Sequence, residues 1–233
     1  IGTYIKAKHE PQTEAGDRAN DSLRINGADL RAKVIGEGAN LGVTQAGRIE
    51  AGLHKVRVNS DAIDNSAGVD SSDHEVYIKI LCTEAIRRGE LPSGERNTLL
   101  ASMTDDVAQH VLAHNYAQTG ALSSAERSAR RDHDALERLM VRLEQRGVLD
   151  RQVEGLPSTA EMAQFKQDGR VLTRPEIAIL MAWTKIVLFD DLVASSIPDD
   201  PYFQHTLQSY FPAALKTYSD VMQAHRLKRE IIS

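Results

Sequence analysis

From Val76 onward, apolar residues recur three and four positions apart, and this periodicity restricts the fold more than any other feature of the chain. Tyr77, Ile80, Leu81 and Ala85 form one stripe, Leu99, Met103, Val107 and Val111 a second, and Leu136, Leu139, Met140 and Leu143 a third. A helix turns every 3.6 residues, so each stripe lines one helical face that must be buried. Ser158 with Glu161, and Thr173 with Glu176, have the spacing of capping boxes at helix starts, and Gly147 supplies a stop. Ile177 to Leu188, with Trp183 inside it, is apolar on nearly every side and is expected to form a buried helix at the hub of this region. Pro198, Pro201 and Pro212 cut the remainder into short helical pieces.

The first ninety residues have a different texture, since ten of the fifteen glycines fall there. Ala32 to Ile35 is β-prone and runs into Gly36 and Gly38, and Val56 to Val58 is β-prone and runs into Asn59. Between them, Thr44 to Lys55 carries Ile49 and Leu53 four apart on a polar stretch, as an amphipathic crossover helix would. Strand, helix, strand implies a parallel βαβ unit. The expected fold is therefore an α/β segment over residues 1–90 followed by an all-α helical region over residues 91–233, mostly helical overall.

The formal net charge of −5 is spread over interleaved acidic and basic residues, which argues against nucleic acid or an anionic membrane as partner. Cys82, the only cysteine, lies in an apolar run, so disulfides and multi-cysteine metal sites within the chain are excluded and a reducing, cytoplasmic setting is expected. No apolar window is long enough to span a membrane, and the first residues lack the order of a signal peptide. The chain opens without methionine in what reads as the exit of a loop, so a fragment cut at both ends is expected.

Two glycine-rich segments carry the candidate chemistry: Gly36 to Asn40 after the first predicted strand, and Asp64 to Val69 after the second. Ligands of open parallel sheets gather at the carboxyl ends of strands, so both segments are placed to meet at one crevice. Gly38 and Ala39 would let backbone approach a flat or phosphorylated ligand, and the Asn40 amide can donate and accept. A plain strand-to-helix turn, with Asn chosen for its tolerance of left-handed backbone, fits the same residues. Ser72 to Glu75 has capping-box spacing at the start of the helix containing Tyr77, where the hydroxyl could equally meet a substrate carboxylate. Asp70, Asp73, His74 and Glu75 cannot converge on one ion as near-adjacent positions, so no metal site is expected. His54, His110, His114, His133, His205 and His225 are expected on solvated helix faces.

KVIGEGANLGVTQAGRIE and NSDAIDNSAGVDSSDHEVYIKIL resemble the large, multidomain NAD-specific glutamate dehydrogenases of bacteria. IGTYIKA, GDRANDSLRING, LTRPEIAILMAWTKIVLFDDLVASSIPDDPYF and HRLKREII are similar to the same family's C-terminal region, so the resemblance covers nearly the whole chain. It implies that residues 1–90 are the C-terminal part of a Rossmann-like dinucleotide-binding domain and residues 91–233 a helical C-terminal domain. It also implies NAD as cofactor, and conversion of L-glutamate to 2-oxoglutarate and ammonia. Glu37, Gly38, Ala39, Asn40 and Asn65 would line the cofactor side, with Asn40 and Asn65 on the nicotinamide-ribose half, and Ser72 would bind the distal carboxylate of glutamate. Ser66 and Ala67 depart from the pattern of the smaller hexameric relatives.

No catalytic residue is expected within the chain. The family's phosphate-binding glycines, catalytic lysine and catalytic aspartate belong to upstream segments, and Lys6, Lys8 and Lys33 stand in the wrong context to replace them. The chain alone is expected to be inactive, its partners being the rest of the polypeptide and, at full length, further copies of itself. The competing readings are a helical scaffold or regulatory module, and a related dehydrogenase of an apolar amino acid. Ser72 argues against the latter, because an apolar side chain offers its hydroxyl nothing to bond.

Overall fold

A computed structural model describes residues 2–16, 18–38 and 40–233. Most of them are helical, and the strands among them are one short parallel pair. The chain forms two compact units, residues 1–66 with 117–184 and residues 67–116 with 185–233.

In the first unit, β1 (Ile5–Lys6) pairs in parallel with β2 (Ile25–Asn26), Ile5 opposite Ile25, and Ile5 also bridges in parallel to Val43. Thr44 then caps α1 (Gln45–Leu53), its hydroxyl oxygen accepting the Gly47 N–H at 2.9 Å. The two β-prone runs flanking this helix do meet in parallel, through a single bridge of Val34 to Arg57. Ile35 N–H donates to the Arg57 carbonyl and Arg57 N–H to the Lys33 carbonyl, both at 2.9 Å. Val56 and Val58 pack with Ala51 of α1 against Leu30 and Ile35.

The face that α1 buries is not the expected one. Gly47, Arg48 and Ala51 point inward, while Ile49 is half-buried and Leu53 remains 49% exposed. The cause is a close approach of backbones: a Cβ on Gly27 would stand 2.4 Å from the Gly47 carbonyl oxygen, and one on Gly47 would stand 2.9 Å from the Lys6 carbonyl carbon. Only small residues let helix and strand come so near.

The chain continues through α2 (Asp61–Asp64), α3 (Ser66–Arg87), α4 (Arg96–Ser102), α5 (Thr104–Ser128), α6 (His133–Gln145), α7 (Thr159–Asp168) and α8 (Arg174–Ala194). Three short helices end it: α9 (Gln204–Tyr210), α10 (Ser219–Gln223) and α11 (Lys228–Ile232). Ser158 and Glu161 form the expected capping box of α7, and Gly169 closes that helix in the left-handed region at φ 68°. At the start of α8, Thr173 donates its N–H and its hydroxyl to Glu176, whose carboxyl is buried and pushed above the usual carboxylate range by that burial. Nothing described beyond residue 91 is a strand, in keeping with the helical period.

The core of the second unit gathers Ile78, Leu81, Cys82 and Ala85 of α3 with Met103, Leu207, Phe211, Leu215 and Met222. The apolar helix forms as expected within α8, but its burial is partial. Ile177, Ala178 and Leu180 are buried in the first unit and Trp183 is half-buried, its indole N–H donating to Glu154 at 3.1 Å. Ile186 at 50% and Leu188 at 54% exposure, both in the second unit, overturn the expectation of a hub buried along its whole length.

Candidate functional site

The loop that follows Ile35 is fixed by charges at its back. Arg48 of α1 is 1% exposed, and its guanidinium donates to the Glu37 carboxylate at 2.5 Å, to the Asp61 carboxylate and to the Asn59 carbonyl at 3.2 Å. Burial lowers the Arg48 pKa and the Glu37 charge pulls it back up, so the cation survives because carboxylates surround it. Asp64 accepts the Glu37 N–H at 3.0 Å and the Asn59 side-chain amide at 2.8 Å, while Asp61 accepts the Leu41 N–H at 3.0 Å. The short helix α2 therefore holds the loop by its backbone at both ends.

Held in this way, Asn40 and Leu41 adopt left-handed backbone at φ 58° and 62°. Asn visits that region readily; Leu does so only where its surroundings impose it. The Asn65 amide donates to the Asn40 side-chain carbonyl at 2.9 Å. Two predicted loops, 25 positions apart in sequence, thus touch through two of the predicted residues on an exposed rim. Gly38 lies open beside them, the nearest atom to a Cβ built there being the Asp64 carbonyl oxygen at 4.0 Å. Glu37 turns its carboxylate inward to Arg48, so what it offers a ligand is backbone. Ala39 lies outside the described residues.

Three expectations are corrected here. Ser66 to Val69 are not loop but the first turn of α3, anchored where the Ser66 hydroxyl donates to the Ile63 carbonyl at 3.0 Å. Ser72 consequently lies in the second turn of a helix already under way, exposed, and caps nothing. It belongs to the second compact unit, Asn40 and Asn65 to the first. His133 and His225 are buried rather than solvated, their Nε2 atoms on the carbonyls of Met162 at 3.0 Å and Tyr77 at 3.1 Å.

Sequence reasoning missed Arg48 and Asp61 and named Asp64 only as the start of the second segment, yet these three side chains set the loop. The available signal was an arginine on the same helical face as Gly47 and Ala51, which is intelligible only if carboxylates from elsewhere meet it.

A family model described as "Bacterial NAD-glutamate dehydrogenase, catalytic domain" matches residues 1–125, and one described as "Glutamate dehydrogenase, C-terminal" matches residues 169–233. Over its full length the chain is 50% identical to the NAD-specific glutamate dehydrogenase of Pseudomonas aeruginosa, 48% to that of Halomonas elongata and 46% to that of Mycobacterium tuberculosis. It spans 14% of the length of each of these relatives. No solved structure gives a significant match. With a family match over more than half of its residues, and identity near one half throughout, the chain belongs to the bacterial NAD-glutamate dehydrogenase family.

Proposed function

We propose that the chain is part of an NAD-dependent glutamate dehydrogenase and forms one wall of the cleft that holds the cofactor. The whole protein, in this reading, deaminates L-glutamate oxidatively to 2-oxoglutarate and ammonia in the cytoplasm, as a homo-oligomer. NAD, when bound, accepts the hydride. The work of this chain is to bind and orient.

The observation that carries the reading is the 2.9 Å hydrogen bond between the Asn65 and Asn40 side chains. It fixes two exposed amides against one another and leaves the pair with one amide donor group and one carbonyl acceptor, a set that matches ribose hydroxyls or a carboxamide. Gly38, open on the same loop, lets a ligand lie against backbone. Residues 1–90 then read as the closing part of a Rossmann-like domain, supported by the parallel Val34 to Arg57 bridge around α1, and residues 91–233 as a helical C-terminal domain. Ser72, exposed on α3, is assigned to the distal carboxylate of glutamate.

In the full-length protein, Asn65→Ala removes one neutral hydrogen bond to the cofactor and frees Asn40. A loss of about 1 kcal/mol should raise the KM for NAD roughly fivefold to tenfold, with the KM for glutamate and the melting temperature nearly unchanged. A KM for NAD within about twofold of wild type would instead favour a helical scaffold whose loops no longer meet a cofactor.

A further inference from the structure

Within the second compact unit, three side chains of metal-ligating type converge from two helices. Asp70 and His74 stand one turn apart on α3, and His114 reaches them from α5. His114 Nδ1 lies 2.8 Å from one Asp70 oxygen, and His74 Nε2 lies 3.7 Å from the other. One ligand atom from each of the three falls within 4.8 Å of the other two. A tetrahedral zinc ion with bonds of about 2.0–2.1 Å spaces its ligands roughly 3.3 Å apart, so small side-chain rotations suffice to close on it.

His74 supplies the second, independent observation. Its side chain is 0% exposed, yet neither ring nitrogen has a hydrogen-bond partner among the described residues. A neutral imidazole carries one donor and one acceptor, and buried polar atoms are almost always satisfied. The other buried histidines obey that rule: His133 and His225 each meet a backbone carbonyl. The His74 ring is also held in place, stacked 4.4 Å from Tyr210 and flanked by His110 at 5.5 Å and His114 at 5.8 Å. A cation on Nε2 would use the lone pair that the fold leaves idle.

We propose that Asp70, His74 and His114 bind one divalent transition-metal ion, best matched by Zn²⁺, which fastens α3 to α5. Two imidazoles and one carboxylate suit zinc and its neighbours, whereas calcium and magnesium take oxygen ligands. Three protein ligands leave a fourth position for water or a small anion. Solvent can supply it, since the His114 side chain is 48% and the Asp70 side chain 19% exposed. Reading the adjacent acidic positions alone hid the site, because its third ligand is 40 residues from His74 along the chain.

The test uses the full-length protein, stripped with a chelator and titrated with Zn²⁺ and separately with Co²⁺. His114→Ala and Asp70→Asn are the variants, chosen because neither empties the core as loss of His74 would. Wild type should bind one equivalent of Zn²⁺ per chain more than either variant, or bind it at least roughly 100-fold more tightly, a ligand counting for more than the tenfold to hundredfold of an outer-shell partner. Its Co²⁺ form should show visible d–d bands that both variants lose. Equal zinc stoichiometry and affinity in all three proteins would overturn the proposal, whatever the outcome for the cofactor loops.

Discussion

Ser72 sits in the second turn of α3, exposed, with its backbone already inside the helix. A hydroxyl there stabilises no helix end, and alanine is the better helix former by about 0.5 kcal/mol. Ser72→Ala should therefore leave the melting temperature of the full-length protein unchanged or slightly raised. If the hydroxyl receives the distal carboxylate of glutamate, the same change removes a hydrogen bond to a charged group, about 1.5–3 kcal/mol, and kcat/KM for glutamate should fall roughly tenfold to a hundredfold. Steady-state kinetics beside a thermal melt separate the two, and a kcat/KM within about twofold of wild type removes Ser72 from the site. At this scale the sequence was readable where the chemistry is local. The left-handed turn at Asn40 follows from what asparagine tolerates, and the cap at Ser158 from its partner three residues on. The burial of Arg48 was not readable, since its partners Glu37 and Asp61 lie 11 and 13 positions away and nothing local announces them.

Among the elements, α1 was legible in extent and misread in orientation. Ile49 and Leu53 have the spacing of a buried stripe, but the strand side of the helix is occupied by Gly47 and Ala51, whose small size allows a backbone approach that hydropathy does not register. In the same way Gly68 suggested a loop, yet the cost of a glycine in a helix, about 1 kcal/mol relative to alanine, is small beside the burial of Ile78, Leu81, Cys82 and Ala85 further along α3. The glycine contact makes a prediction. A Cβ on Gly27 meets the Gly47 carbonyl oxygen at 2.4 Å and the Ala51 nitrogen at 3.0 Å, both backbone atoms that cannot swing aside. Gly27→Ala should force α1 off the strands and destabilise the first unit by about 1–3 kcal/mol. Gly94→Ala, where a Cβ meets nothing within 4 Å, is the control and should melt with wild type. Coincident melting of both variants would show that α1 has room to give.

For the molecule as a whole, hydropathy records which faces avoid water and is silent about what covers them. Ile186 and Leu188 illustrate the point, being apolar residues of α8 and still half exposed, in a chain that spans 14% of the length of its relatives. Each compact unit nevertheless has buried side chains of its own, Val56 and Val58 in one, Leu81, Phe211 and Met222 in the other, and no described helix is long and apolar enough to cross a membrane. The 233 residues expressed alone should therefore give a helical far-UV spectrum and melt cooperatively. They should not catalyse the reaction. Glutamate oxidation in this family is expected to need a lysine at the reacting carbon, and none of Lys6, Lys8 and Lys33 is expected to supply it. Lys6 is buried, with its ammonium donating at 3.0 Å to the Ala7 carbonyl and to the Asn26 side chain, while Lys8 and Lys33 are exposed on the surface. Asn40 and Asn65, proposed above to position the cofactor, carry no group that gains or loses a proton near neutrality. Incubated with glutamate and NAD, the folded stretch should form no NADH above the blank. Glutamate-dependent NADH from a preparation with an intact melt would instead place the catalytic groups inside these residues.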